Sequence, residues 1–273
     1  MSNQPIGIFD SGIGGLTIAR AIVDTLPAEN IIYFGDTAHF PYGDKSAEAL
    51  QSYSLKIARL LLERNCKLIL IACNSASTAA YEAIQETLGS KAIIMNVIDP
   101  VITALKPLAS QHTKIGLIGT RQTVQSKIYD TKIATHYANI QLVSCATNIL
   151  ASAIEEFGDH PVTTSLIQAY LSNPALENIH GLILACTHYP VIKDKISAFF
   201  QHKIDIIDAS QIVARAVAET LKKNHLQHND GIGTKHFYVS DYTESFAHHA
   251  KRFFSDAIKL EHFPLTDEME AIA

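Results

Sequence analysis

Apolar residues along this chain gather into short unbroken runs separated by longer stretches of helical period, the pattern of buried parallel strands joined by crossover helices. The runs fall at 6–9, 31–35, 68–71, 92–96, 114–118, 140–143, 182–185, 204–207 and 237–239. Helical periodicity passes through Ile18, Ile22 and Val23, covers 47–64, resumes at 78, and then runs up to 110, over 126–134, over 210–222 and up to 254. Strand and helix alternate almost throughout. The expected class is therefore α/β: two pseudo-symmetric doubly wound domains, a largely parallel sheet in each, with the active site in the cleft between them. The first domain is expected to combine 1–97 with 210–273, and the second to span 98–209.

The argument for two similar halves is an internal echo. Leu68, Ile69, Leu70, Ile71, Ala72 and Cys73 return as Leu182, Ile183, Leu184, Ala185 and Cys186, and the two cysteines lie 113 residues apart. IGIFDSG from Ile6 returns as IGLIGTR from Ile115, 109 residues later. In an open α/β sheet ligands bind beyond the carboxyl ends of the strands, where helix N-termini present free N–H groups. Each half thus brings one thiol to a strand end, and the helix start beside Cys73 is expected to stabilise its thiolate. One cysteine closing a buried strand is ordinarily an inert small residue. Two in repeated contexts, each followed by polar residues, point to chemistry.

Composition narrows the partners. Of 273 residues, 47% are hydrophobic and 18% charged, so the chain can bury a full core. A net charge of −5 gives no electrostatic footprint for nucleic acid or an anionic membrane, which leaves a small-molecule ligand. Neither a secretory leader nor a membrane-length apolar run is visible, so the expected location is the cytoplasm. The cysteines at 66, 73, 145 and 186 form no C-x-x-C pair and read as free thiols, Cys66 structural and Cys145 filler.

The first strand runs into DSGIGGL, where Gly12, Gly14 and Gly15 allow a tight strand-to-helix turn. A dinucleotide fingerprint is a poor fit, because Thr17 stands at the third glycine position and Asp10 would face a pyrophosphate. Asp10 and Ser11 instead reach the cleft. The loop DTAHFPYGDKS, with Pro41 and Gly43, is a turn able to close over a substrate. Thirteen histidines are scattered without metal-ligand spacing, and only Cys73, Cys186 and His188 could converge, so no metal is expected. Glu155 and Glu156 form the one acidic step expected near the cleft.

Taken together, DSGIGGL at 10–16, PYG at 41–43, CNSAS at 73–77 and CTHYP at 186–190 resemble the aspartate/glutamate racemase family, in its glutamate racemase branch. Four ordered blocks span most of the chain. The resemblance implies a two-domain α/β fold, no cofactor, glutamate as the small-molecule partner, and D-glutamate supply for peptidoglycan. It implies that Cys73 deprotonates D-glutamate and Cys186 deprotonates L-glutamate, with Asp10 and His188 assisting the neighbouring thiols. Ser11, Tyr42, Gly43, Asn74, Ser75, Thr187 and His188, with Asp10, are the implied substrate contacts; Ser75 stands where the family usually has Thr. Two bases on opposite faces invert an α-carbon without turning the substrate over. A racemase of the aspartate or hydantoin type and a non-catalytic two-lobed binding protein remain alternatives, as does a hydrolase or transferase with a single nucleophilic cysteine. The oligomeric state, a homodimer included, stays open.

Overall fold

The computed structural model describes residues 3–110, 112–255 and 258–265. The chain begins with β1 (Ile6–Asp10), α1 (Leu16–Thr25), β2 (Ile31–Gly35), α2 (Ala47–Glu63), β3 (Leu68–Ile71), α3 (Asn74–Leu88) and β4 (Ile93–Asn96). After α4 (Ile98–Ala104) come β5 (Thr113–Gly119), α5 (Arg121–Gln125), α6 (Ile128–His136), β6 (Ile140–Ala146), α7 (Leu150–Phe157), α8 (Pro161–Leu171), β7 (Gly181–Ala185), α9 (Lys193–Phe199) and β8 (Asp205–Asp208). It ends with α10 (Ala209–Lys223), β9 (Lys235–Val239), α11 (Glu244–Phe253) and β10 (Leu260–His262).

Two sheets result, and every strand pairing in them is parallel. The first has the order β10-β9-β2-β1-β3-β4 and the second β6-β5-β7-β8. The inner order is the same in both: the second strand of each half lies at one side of the first, and the third and fourth at the other. The repeated sequence is thus a repeated topology. β9 and β10 extend the first sheet beyond β2, so the last part of the chain returns to where it began. The sequence reading lacks β10, because three residues with exposed Glu261 and His262 make no apolar run. The tail of the expected first domain, 266–273, lies outside the described residues.

Burial on both faces explains the unbroken apolar strands. Successive residues of a strand point to opposite faces, so each face needs its own apolar set. Ile8, Leu68 and Leu70 join Leu16 and Ile22 of α1 in one cluster. Phe9, Ile69 and Ile71 point the other way, to Ile57 and Leu61 of α2 and Ala76 and Ala80 of α3. The first cluster continues through Val97, Ile102, Leu117 and Ile183 to Val213 and Val217 of α10, so the two sheets share one apolar body. Helix α10 packs on both α1 and α4. At about 1.5–3 kcal/mol per buried Ile, Leu or Val, this shared surface is what holds the halves together. Among the described residues, no helix is long and apolar enough to cross a membrane.

Two boundaries differ from the periodicity. α3 starts at Asn74, not 78, because Cys73 is extended (φ −73°, ψ 127°) and serves as its N-cap. Its first turn, N-S-A-S, is buried but carries no apolar stripe, so the pattern starts late. The helix expected over 126–134 is α6, starting at Ile128 because Lys127 has a φ of +58° that no helix interior accepts, and the short α5 precedes it.

Lys67 starts β3 from a buried position and donates to Glu29, fully buried, at 2.5 Å, and to the carbonyl of Leu226 at 2.8 Å. The second oxygen of Glu29 accepts from the N–H of His228 at 2.8 Å. This pair ties the amino end of β3 to the segment that follows α10. Removing one partner of a buried ion pair leaves the other charge uncompensated. Lys67→Met is therefore expected to lower stability by about 3–5 kcal/mol in urea unfolding. Lys67→Met combined with Glu29→Gln should be less destabilised than Lys67→Met alone.

Candidate active site

Parallel strands put their carboxyl ends on one edge, and those edges of the two sheets meet at a common cavity. Ser11 lines it from the end of β1, Tyr42 and Gly43 from the loop after β2, and Cys73, Asn74 and Ser75 from the β3–α3 junction. The second sheet supplies Thr120 after β5 and Cys186, Thr187 and His188 after β7. Every sequence-derived candidate except Asp10 lines this space. Asp10 is fully buried directly behind it. The cavity measures only about 20 Å³, room for a water or two and too small for an amino acid as it stands. A groove of about 530 Å³ between β4, α4 and α10 is larger but contains none of the candidate groups.

On the Cys73 side, Asp10 accepts from the N–H of Gly15 at 2.9 Å and from the Thr187 hydroxyl at 3.4 Å. Burial raises the pKa of Asp10, against the opposing pull of the His188 charge and of the N–H groups of Gly15, Gly12 and Ser11. Cys73 receives the Ala76 N–H and the Ser11 hydroxyl, both of which favour its thiolate. Burial outweighs them, and the charges of Asp10 and Cys186 add to it, so the pKa of Cys73 is raised. This corrects the expectation that the helix start stabilises a thiolate here. A few partial charges in the first turn do not offset removal of the sulfur from water. Cys73 keeps its proton.

On the other side, His188 places Nδ1 3.8 Å from the Cys186 sulfur and Nε2 2.8 Å from Glu155. Burial pulls the pKa of His188 down, but hydrogen bonds and charges from Cys186 and Glu155 prevail and lift it to about 10. The imidazole is therefore a cation facing the Cys186 sulfur. Phe40 and Phe253 flank its ring, with centroids at 5.6 and 5.2 Å. Of the two acidic residues expected near the cleft, Glu155 is the buried partner and Glu156 is exposed.

The remaining polar groups bridge the halves. Asn74 accepts from the Tyr129 hydroxyl at 2.8 Å through Oδ1, leaving its amide N–H groups for the cavity. The Ser75 and Thr120 hydroxyls meet at 2.8 Å, and the Thr17 hydroxyl donates to the carbonyl of Thr187 at 2.9 Å. A Cβ on Gly43 would come within 2.7 Å of Thr120, so only glycine allows this loop its approach. Tyr42 is fixed by donating to the buried carboxylate of Asp36 at 2.6 Å, which also accepts from Ser240 at 2.8 Å. Cys66 and Cys145 are buried elsewhere, and burial pushes the Cys66 thiol up to about 12. Among the described residues, no group of three or more His, Cys, Asp or Glu side chains could hold a metal ion.

Sequence reasoning missed Thr120, Tyr129 and Asp36. The internal echo holds a signal for Thr120, which follows Ser11 by the same 109 residues that separate the two repeated strands. Tyr129 left none, since its partner Asn74 is 55 residues away; Asp36 acts through Tyr42, six residues on in the same loop, and a carboxylate there has no distinctive spacing.

A sequence model of the Asp/Glu/hydantoin racemases matches residues 6–217. The chain belongs to this family. It is 38% identical over 253 residues to the glutamate racemase of Syntrophus aciditrophicus, covering 92% of each chain. Among solved structures, it superimposes with a TM-score of 0.90 on a glutamate racemase from Francisella tularensis in complex with D-glutamate, at 35% identity over 98% of this chain and 100% of that one. The RacE1 glutamate racemase isoform of Bacillus anthracis gives 0.89 at 30% identity, over 97% of this chain and 99% of the other.

A folded-state pKa of His188 above its ordinary 6.5 has a consequence for stability. The native state then holds a proton that the unfolded chain releases, so this contribution is complete below pH 6.5 and is lost as pH rises through about 10. Calorimetric melting between these limits should show a steeper alkaline fall in Tm for the unmodified protein than for His188→Asn. Equal slopes would contradict a raised His188.

Proposed function

We propose that this member of the family interconverts L- and D-glutamate without a cofactor, with Cys73 and Cys186 as paired acid and base. The observation that carries this reading is two thiols from repeated strand ends facing one cavity with unlike electrostatic support. One is a protonated thiol beside a carboxylate; the other has an imidazolium as its neighbour. Relatives named glutamate racemase, alike over more than nine-tenths of their length, support glutamate as the substrate.

With L-glutamate, Cys186 acting as a thiolate takes the α-proton, and the Cys73 thiol gives its proton to the opposite face of the planar intermediate. Product release leaves Cys186 protonated and Cys73 ionised, the state that accepts D-glutamate for the reverse reaction. Asp10 and His188 assist the neighbouring thiols. The α-proton is a very weak acid, so charge developing on the carboxylate side needs fixed donors. The Asn74 amide and the Gly43 N–H would donate, the hydroxyls of Ser11, Ser75, Thr120 and Thr187 would join them by turning from their present partners, and Tyr42 would close the wall. The walls are taken to be a first domain of 1–97 plus 210–273 and a second of 98–209, which part to admit substrate. The setting is the cytoplasm and the product serves peptidoglycan.

Polarimetry with each enantiomer tests this. Cys73→Ser and Cys186→Ser should each cut turnover by at least about 100-fold without lowering Tm, since a hydroxyl of similar size is a far weaker acid. Cys66→Ser and Cys145→Ser should stay near the unmodified rate. Full activity in either of the first two removes that residue from the mechanism. Aspartate, one methylene shorter, leaves donors unpaired, and its kcat/KM should be lower by at least about tenfold. Comparable values for the two amino acids would contradict glutamate as the substrate.

A further inference from the structure

Helix α11 belongs by sequence to the end of the chain and lies against the first sheet's side, yet its last turn reaches α7 on the other half. Arg252 donates through Nη1 to the carbonyls of Ile154 and Glu155, at 3.2 and 3.0 Å. These are carbonyls in the last turns of a helix, where a cation is favoured; that of Ile154 also accepts the Gly158 N–H at 2.9 Å. The guanidinium rests on Gly158, whose φ is +54° and where a Cβ would come within 2.6 Å of the guanidinium carbon. Two features therefore make room for this one side chain: a helix end and a glycine just past it. The next residue, Phe253, sets its ring edge-on to His188 at 5.2 Å.

Glu155 is the residue whose backbone Arg252 holds and whose carboxylate meets His188 Nε2 at 2.8 Å. His188 in turn faces Cys186. We infer that Arg252 is a positioning residue for the Cys186 half of the reaction: by fixing the last turn of α7 it fixes Glu155, and through Glu155 the ring of His188. This inference rests on the two-thiol reading above. The Cys73 half has separate supports, the Ser11 hydroxyl and the Ala76 N–H. Loss of Arg252 should therefore weaken one thiol's chemistry and spare the other's.

Rates alone cannot show such one-sidedness. Enantiomers have equal free energy, so kcat/KM must be the same in both directions whatever the variant. The α-deuterium isotope effect separates the two proton transfers. Raising only the barrier on the Cys186 side makes cleavage of the L-enantiomer's bond more rate-limiting and that of the D-enantiomer less so. Arg252 is exposed, so its removal takes no side chain from the core.

The test measures kcat/KM and the isotope effect with L- and D-[2-²H]glutamate for the unmodified protein, Arg252→Ala and Arg252→Met. The methionine variant keeps the apolar stem if alanine compromises folding. Expected are a loss in kcat/KM of roughly 10- to 100-fold, as for small displacements of reacting groups, an isotope effect that rises with L-glutamate, and one that falls with D-glutamate. Unchanged kcat/KM overturns the inference, as do isotope effects that move together or in the opposite sense. Absence of racemisation by the unmodified protein would instead remove the two-thiol reading itself.

Discussion

Two thiols enclosed in one small cavity cannot both be ionised, because each negative charge raises the cost of the other in a space with little water. Their protonation is therefore a property of the pair. That constraint organises the site: burial and then the Asp10 carboxylate hold the proton on Cys73, while Cys186 faces a His188 ring that is itself paired with the Glu155 carboxylate. A two-base inversion, as proposed above, needs an opposed state in each direction. The duplicated fold brings two copies of the same strand end to one cavity, and they differ in what stands beside each sulfur.

The asymmetry lies in the residues that follow the thiols. After Cys73 the chain enters a long helix at once, and Asn74 and Ser75 form its first turn. After Cys186 it makes a short 3₁₀ turn, Tyr189–Ile192, and places His188 in the cavity wall with Glu155 behind it. Hydroxyl and amide contacts join the two sides of the cavity, such as Ser75 to Thr120 and Tyr129 to Asn74.

Much of this was legible in the sequence because it is local. Strands buried on both faces must be apolar at every position, so 68–71 and 182–185 declared themselves, and the repeated cysteines marked their carboxyl ends. The parts that were not legible depend on distant partners or on desolvation. Cys73 reads as an activated thiol from its place before a helix, but how much water it loses depends on Asp10, Ser11 and the second half together. Glu155 and Glu156 are indistinguishable in sequence, and only the turn of α7 relative to His188 separates them. Arg252 lies in a polar C-terminal helix whose target is a backbone turn nearly a hundred residues away, and a carbonyl has no sequence signature.

The central claim, that these two sulfurs exchange the α-hydrogen of glutamate, is most directly tested by proton NMR of L-glutamate in D₂O with the purified protein and nothing added. The account predicts that the α-proton resonance decays as the sample loses optical rotation, and that a protein with both Cys73→Ser and Cys186→Ser leaves that resonance intact. A resonance that persists with the unmodified protein, or that decays equally fast with both thiols replaced, would contradict it.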